Sequence, residues 1–227
     1  MPAEPTTTKG RRTRDHLVAA GRTVFARDGY VDARMSDVAE VAESSMGGLY
    51  RYFKNKEDLF AQVIADLHEQ LFVASNSHDH DFATDPYHSL LESNRGYLQL
   101  YSDNRDVMRA FIQAAHVEKR FQDFWWQMRE RHIERFVGAL ESTYQITQIN
   151  GADARLATEA MACLVEQSAY VWFAQERLST SAVEVDEAAR IVTHSWYATF
   201  FAPETRSTPA AAGAIMSPAE AITDVHE

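Results

Sequence analysis

The 227-residue chain has one cysteine, Cys163, so neither an intrachain disulfide nor a cysteine-built zinc cage is open to it. It lacks any apolar run approaching the ~18–20 residues that cross a bilayer, and its opening MPAEPTTTKGRRTRDH has no apolar signal-peptide core. No membrane partner and a cytoplasmic location are therefore expected. Phosphate-cradling glycine loops, zinc-ligand helices and nucleophile elbows are missing too, so no cofactor, metal or catalytic residue is expected. The stretch SHDHD offers His78, Asp79, His80 and Asp81, but neighbours on one loop rarely converge on an ion without further ligands; a solvated loop is expected. Basic charge is scarce as well. Against 33 Asp and Glu stand 22 Lys and Arg, a net charge of −11 that taken as an average argues against a nucleic-acid partner.

What is present reverses that last inference. From Lys9 to Lys56 ten basic residues face six acidic ones, leaving the segment at +4 and, with −11 overall, the rest of the chain at −15. A small basic module joined to a larger acidic body is the natural reading of such asymmetry. Helical spacing dominates, and no sustained period-two pattern bounded by hairpin turns is found, so the fold class is all-α. Leu17, Val18, Gly21, Val24 and Phe25 mark a helix from about Arg12 to Arg27 with Gly29 as its C-cap; short helices follow around Ser36–Ala42 and Ser45–Tyr50. Longer helices are expected at about Lys56–Ser75, Tyr87–Tyr101, Arg105–Val117, Phe121–Tyr144, Ala154–Gln175 and Val185–Phe201, with Pro86 opening one of them and QITQINGAD serving as a separator. Beyond Pro203 the Ala, Pro, Ser and Thr content predicts a flexible tail. The domains are then 1–55, 56–202 and the tail 203–227.

Three short helices in the first fifty or so residues, the last two joined by a tight turn, have the dimensions of a helix-turn-helix, whose third helix enters the major groove. Position by position, GYVDARMSDVAEVAESSMGGLYRYFKNKEDLF resembles the N-terminal signature of the tetracycline-repressor (TetR) family of bacterial transcription regulators, over about Arg11 to Phe60. The resemblance implies that Val38, Ala39 and Ala42 form the second-helix core, that Ser45 opens the recognition helix, and that Leu49 and Phe53 pack inward. It further implies that Tyr50, Tyr52 and Lys56 reach phosphates, with a basic arm of Arg11, Arg12 and Arg14 along the backbone or in the minor groove. This chain departs from the family at Glu43, where a turn glycine is usual, at Ser44, Met46 and Gly48, and at Arg34, where a hydroxyl usually caps the second helix. Because Met46, Gly47 and Gly48 offer few base-edge donors, readout is expected to lean on Arg34, Ser36, Ser45, thymine-methyl contact by Met46, and DNA shape.

For the body, the same resemblance implies an effector-binding and dimerisation domain. Aromatic and apolar residues cluster at Tyr97, Tyr101, Phe111, Phe121, Phe124, Trp125, Met128 and Tyr170, which points to a bulky apolar or aromatic small-molecule effector, with His116, Glu166 and Gln167 as polar anchors. Ala157, Val165, Trp172, Ile191, Trp196, Tyr197 and Phe200 combine small and large residues suited to a helical interface between two subunits. The expected protein is a homodimeric, ligand-released repressor on a palindromic double-stranded DNA operator. The alternative, from a different class, is an acidic helical interaction protein whose basic N-terminus docks a partner.

Overall fold

Thr7 supplies the first structural stop: its Oγ1 accepts from the Gly10 amide at 3.1 Å and begins α1 (Thr8–Asp32). Arg11, Arg12 and Arg14 consequently lie on that helix and not on an extended arm, because the capped first turn forms before Arg12. The structure is a computed structural model in which residues 7–175 and 182–202 are described. The expected tail at 203–227 lies outside the described residues. Near its end α1 kinks at Gly29, whose φ of 75° and ψ of 179° are open essentially to glycine alone. The expected glycine stop is present, and one further turn follows it.

Two short helices, α2 (Met35–Val41) and α3 (Met46–Tyr50), complete the head. After α2 the amide of Ser44 donates to the Ala39 carbonyl at 2.9 Å and that of Glu43 to Glu40 at 3.0 Å. These two bonds make a Schellman turn with Glu43 left-handed at φ 46°, the position where glycine is the usual solution. Asn55 then caps α4 (Lys56–Ala74), accepting from Asp58 N at 2.9 Å, and Glu57 and Asp58 complement the helix dipole in the first turn.

Asp85 caps α5 (Pro86–Asp103), with Pro86 in the first turn as its fixed φ favours. The SHDHD loop before it is pinned more than a solvated loop requires. The Glu92 carboxylate accepts from the Ser77 hydroxyl at 2.6 Å and the His78 amide at 2.9 Å, and His80 and His88 face Asp85 at 3.7 and 2.9 Å. Next come α6 (Arg105–Val117) and α7 (Lys119–Tyr144), which ends at left-handed Gln145. The separator that follows is a hairpin: β1 (Gln148–Ile149) pairs antiparallel with β2 (Ala152–Asp153) around Asn150 and Gly151, both at positive φ. An Asn-Gly pair is the strongest short hairpin signal, and the strands were hidden only by their two-residue length.

The long helix expected over Ala154–Gln175 divides in two. α8 (Ala154–Ala169) runs into a π-helical turn, Tyr170–Ala174, where the Gln175 amide reaches back to the Tyr170 carbonyl at 2.9 Å. α9 (Val185–Phe201) packs along α5 and closes the body, with Asn94 donating to the Thr193 hydroxyl at 3.0 Å between them. Among the described residues no helix is long and apolar enough to cross a membrane.

Apolar packing crosses the 55/56 boundary that charge alone suggests. Phe25 and Tyr30 of α1 meet Phe60 of α4 at ring distances of 4.5 and 5.0 Å, and Phe121 of α7 stands edge-on to Tyr30 and Phe60 at 5.3 and 5.2 Å. Side chains buried this fully contribute about 1.5–3 kcal/mol each, so head and body share one seam. Phe121 belongs to that seam and not to the lining of the body's cavity, a correction that follows from its place in the first turn of α7, against Tyr30 and Phe60.

Candidate nucleic-acid interface and effector cavity

Ser45 builds the start of α3, the helix expected to carry recognition, by accepting from the Gly48 amide on Oγ at 3.1 Å. Leu49 and Phe53 are buried as expected, which turns the remaining residues of α3 outward: Ser45, Met46, Gly47 and Tyr50 are all exposed. A Cβ placed on Gly47 meets nothing within 4 Å, so that position is open surface. Gly48 differs, since a Cβ there stands 2.9 Å from Ser44 Oγ and 3.2 Å from the capping Ser45 Oγ. Its lack of a side chain thus serves the cap. Arg34 takes the N-cap position of α2 without a side-chain cap bond, and it and Ser36 are both exposed.

Five residues expected at the DNA backbone sit differently from one another. Arg11 and Arg12 are exposed on the first turns of α1, whereas Arg14 donates to Gln62 at 2.6 Å and lies over the Phe53 ring. Tyr52 is half-buried beneath the Arg51 guanidinium. Lys56 is corrected more strongly: its Nζ donates to the carbonyls of Tyr30 and Val31 at 2.8 and 2.9 Å and rests on the Tyr30 ring. A three-donor ammonium holding two carbonyls at the end of α1 is a clasp between α1 and α4.

Within the body, α4 to α9 surround a cavity of about 1240 Å³. Of the residues expected to line it, Tyr97, Tyr101, Phe111, His116, Trp125, Met128, Glu166, Gln167 and Tyr170 do so. Phe124 does not, because it lies a quarter-turn off the lining face of α7, half-buried against the core. Three residues expected at a subunit interface also move. Val165 and Trp196 line the cavity, while Phe200 is fully buried and packs at 5.1 Å on Phe136 of its own subunit. Ile191 stays exposed, and Ala157, Trp172 and Tyr197 are half-buried.

Burial dominates the electrostatics of this cavity. It pushes the Tyr97 and Tyr101 phenols up and raises the Glu166 carboxyl, which the nearby Arg129 guanidinium opposes. It depresses His132 to about 3, assisted by Arg135, and lowers His68 as well, so both imidazoles are neutral near pH 7. Arg135 is lowered to about 10 by the same burial yet stays well bonded, donating to the Phe72 and Ser75 carbonyls at 2.9 Å and to Asn76 Oδ1 at 2.6 Å.

The family described as "Bacterial regulatory proteins, tetR family" matches residues 17–63. Residues 17–63 are thus similar to the N-terminal domain of the TetR family. The HTH-type transcriptional regulator YdgC of Bacillus subtilis is 33% identical over 28% of this chain and 32% of its own length. The HTH-type transcriptional repressor NicS of Pseudomonas putida is 32% identical over 36% of this chain and 38% of its own. The chain thus spans about a third of the length of these curated relatives. A solved tetR-family transcriptional regulator from Streptomyces coelicolor has the same fold across head and body, with a TM-score of 0.68 over 83% of this chain and 80% of that one at 16% identity.

The helix-turn-helix pattern of the head was legible from the sequence, but polar residues of the cavity, His68, Arg129, His132 and Arg135 among them, were not named from it. A signal for them existed. Trp125, Met128, Arg129, His132 and Phe136 recur at three- and four-residue spacings, so the two polar residues fall inside the apolar stripe of α7.

Proposed function

We propose that this protein is a homodimeric repressor of the TetR family that binds a palindromic operator and is released by a bulky apolar or aromatic molecule held in the cavity. The observation that carries the reading is the position of α6. Its Met108, Phe111, Ile112, Ala115 and His116 line the cavity, and on its far side the Gln113 Oε1 accepts from the Tyr30 amide at 3.1 Å beside the α1 kink. A ligand that displaces α6 therefore moves α1, and with it the recognition helix. The size of the switch is the difference in ligand affinity between the DNA-binding and released arrangements.

Exposed Ile191 on α9 and exposed Leu156 beside half-buried Ala157 on α8 supply apolar surface for the two-fold interface. Two recognition helices related by that axis would meet half-sites about one helical turn, ~34 Å, apart. The docking-module alternative stands second, since residues 17–63 match the family of bacterial regulatory proteins and Ser45, Met46, Gly47 and Tyr50 leave the face of α3 open. Selection of genomic fragments by the purified protein, repeated with small-molecule extracts, tests the reading. Enrichment of palindromic sites that an extract fraction releases is the expected outcome; fragments retained equally with Arg34→Ala and Tyr50→Ala substituted would contradict it.

A further inference from the structure

Among the described residues four buried side-chain polar atoms find no hydrogen-bond partner in the protein, and three of them belong to residues lining the cavity: Arg129 Nε, His68 Nε2 and Trp196 Nε1. The guanidinium Nε and the indole Nε1 can only donate, and a neutral imidazole can present its N–H at either nitrogen. Arg129 Nε and Trp196 Nε1 are therefore unmet donors, while His68, which has a backbone hydrogen bond at Met128, leaves Nε2 to donate or accept as its tautomer sets; a buried donor without a partner costs about 1–3 kcal/mol. A ligand whose polar groups are acceptors relieves that cost.

The three atoms are also ordered. Arg129, His132 and Phe136 occupy one face of α7, and at 1.5 Å per residue the first and last are about 10 Å apart along the helix. The His68 ring lies 5.6 Å from His132 in the middle, and the Trp196 ring 4.6 Å from Phe136 at the far end. Arg129 is the strongest of the three and the least well paired. Its Nη2 stands 3.4 Å from Glu166 Oε2, longer than the ~2.7–2.9 Å of a good charge-assisted bond, and it also meets the thiol of Cys163 and lies over the Trp126 ring at 5.5 Å. Nε and Nη2 form one edge of the guanidinium, the edge a carboxylate takes with both oxygens.

We infer that the effector is an elongated apolar organic acid, its carboxylate on the Nε–Nη2 edge of Arg129 and further carbonyl or hydroxyl oxygens at His68 and Trp196. The inference rests on the cavity being the effector site and adds the polarity and length of the ligand. Glu166 is the competitor: burial already disfavours its charged form, and an incoming carboxylate takes its place on Arg129.

Pyrenebutyrate and pyrenebutanol, a fluorescent acid and alcohol on one bulky skeleton, provide the probe in titrations of the full chain without DNA. The acid is expected to bind about tenfold or more tightly than the alcohol. Arg129→Met should abolish that preference while leaving the alcohol within about twofold, and Glu166→Gln, which keeps the fold even if Arg129→Met does not, should tighten the acid about threefold. Equal binding of acid and alcohol, a preference that survives Arg129→Met, or acid binding unchanged or weakened in Glu166→Gln overturns the inference and leaves the apolar-effector reading standing. Binding of neither compound overturns both.

Discussion

Glu43 holds the left-handed position of the helix-turn-helix turn at φ 46°, where a side chain carries a steric cost of about 1–2 kcal/mol that glycine avoids. Glu43→Gly is therefore expected to raise stability by roughly 1 kcal/mol, read as a higher urea midpoint at constant slope. A second residue-scale expectation concerns pH. His132 is held at about 3 in the folded protein against 6.5 when unfolded, so the unfolded state gains a proton first as pH falls. Its contribution to stability is complete above pH 6.5 and is lost on acidification from there down toward 3, at about 1.4 kcal/mol per pH unit once the unfolded imidazole is charged. His132→Gln should flatten the fall in urea midpoint between pH 7 and about 5. At this scale the sequence disclosed the start of α3, because Ser45 acts through Gly48 three positions on. It did not disclose that Lys56 clasps the end of α1, since that contact joins positions 25 and 26 residues apart.

Helix α6 is the element on which the account turns, with the cavity on one face and α1 on the other. Gln113→Leu removes the acceptor of the Tyr30 amide beside the kink and leaves a part-buried N–H unpaired, a loss of about 1–3 kcal/mol. Effector binding should survive in this variant, because Gln113 does not line the cavity, while effector-driven release of DNA weakens. Fluorescence titration of the ligand alongside DNA anisotropy separates the two. The helix periods were readable from apolar spacing; what they concealed was which partner each face meets. Trp196 and Phe200 carry the same apolar signature whether they pack on Phe136 or on a second subunit, so spacing alone assigned them to the interface. The π-helical turn at Tyr170–Ala174 was equally hidden, since a helix widened by one residue keeps a nearly helical pattern.

The whole molecule joins a basic head to an acidic body through one aromatic seam, and the dimer would set the distance between two such heads. Ile191, 51% exposed on α9, offers apolar surface to the proposed two-fold interface. Ile191→Lys should shift the protein toward monomer in light scattering and weaken operator binding, with the monomer's melting behaviour showing that the fold persists. The central claim is that the head reads duplex DNA, and its most direct measurement is the affinity for a genome-selected fragment against a scrambled one across salt concentration. The account predicts a clear preference for the selected fragment and a logarithmic affinity that falls linearly with the logarithm of salt, a slope of about −0.9 per phosphate contact. Equal affinity for the two duplexes, or negligible binding even at low salt, would contradict it.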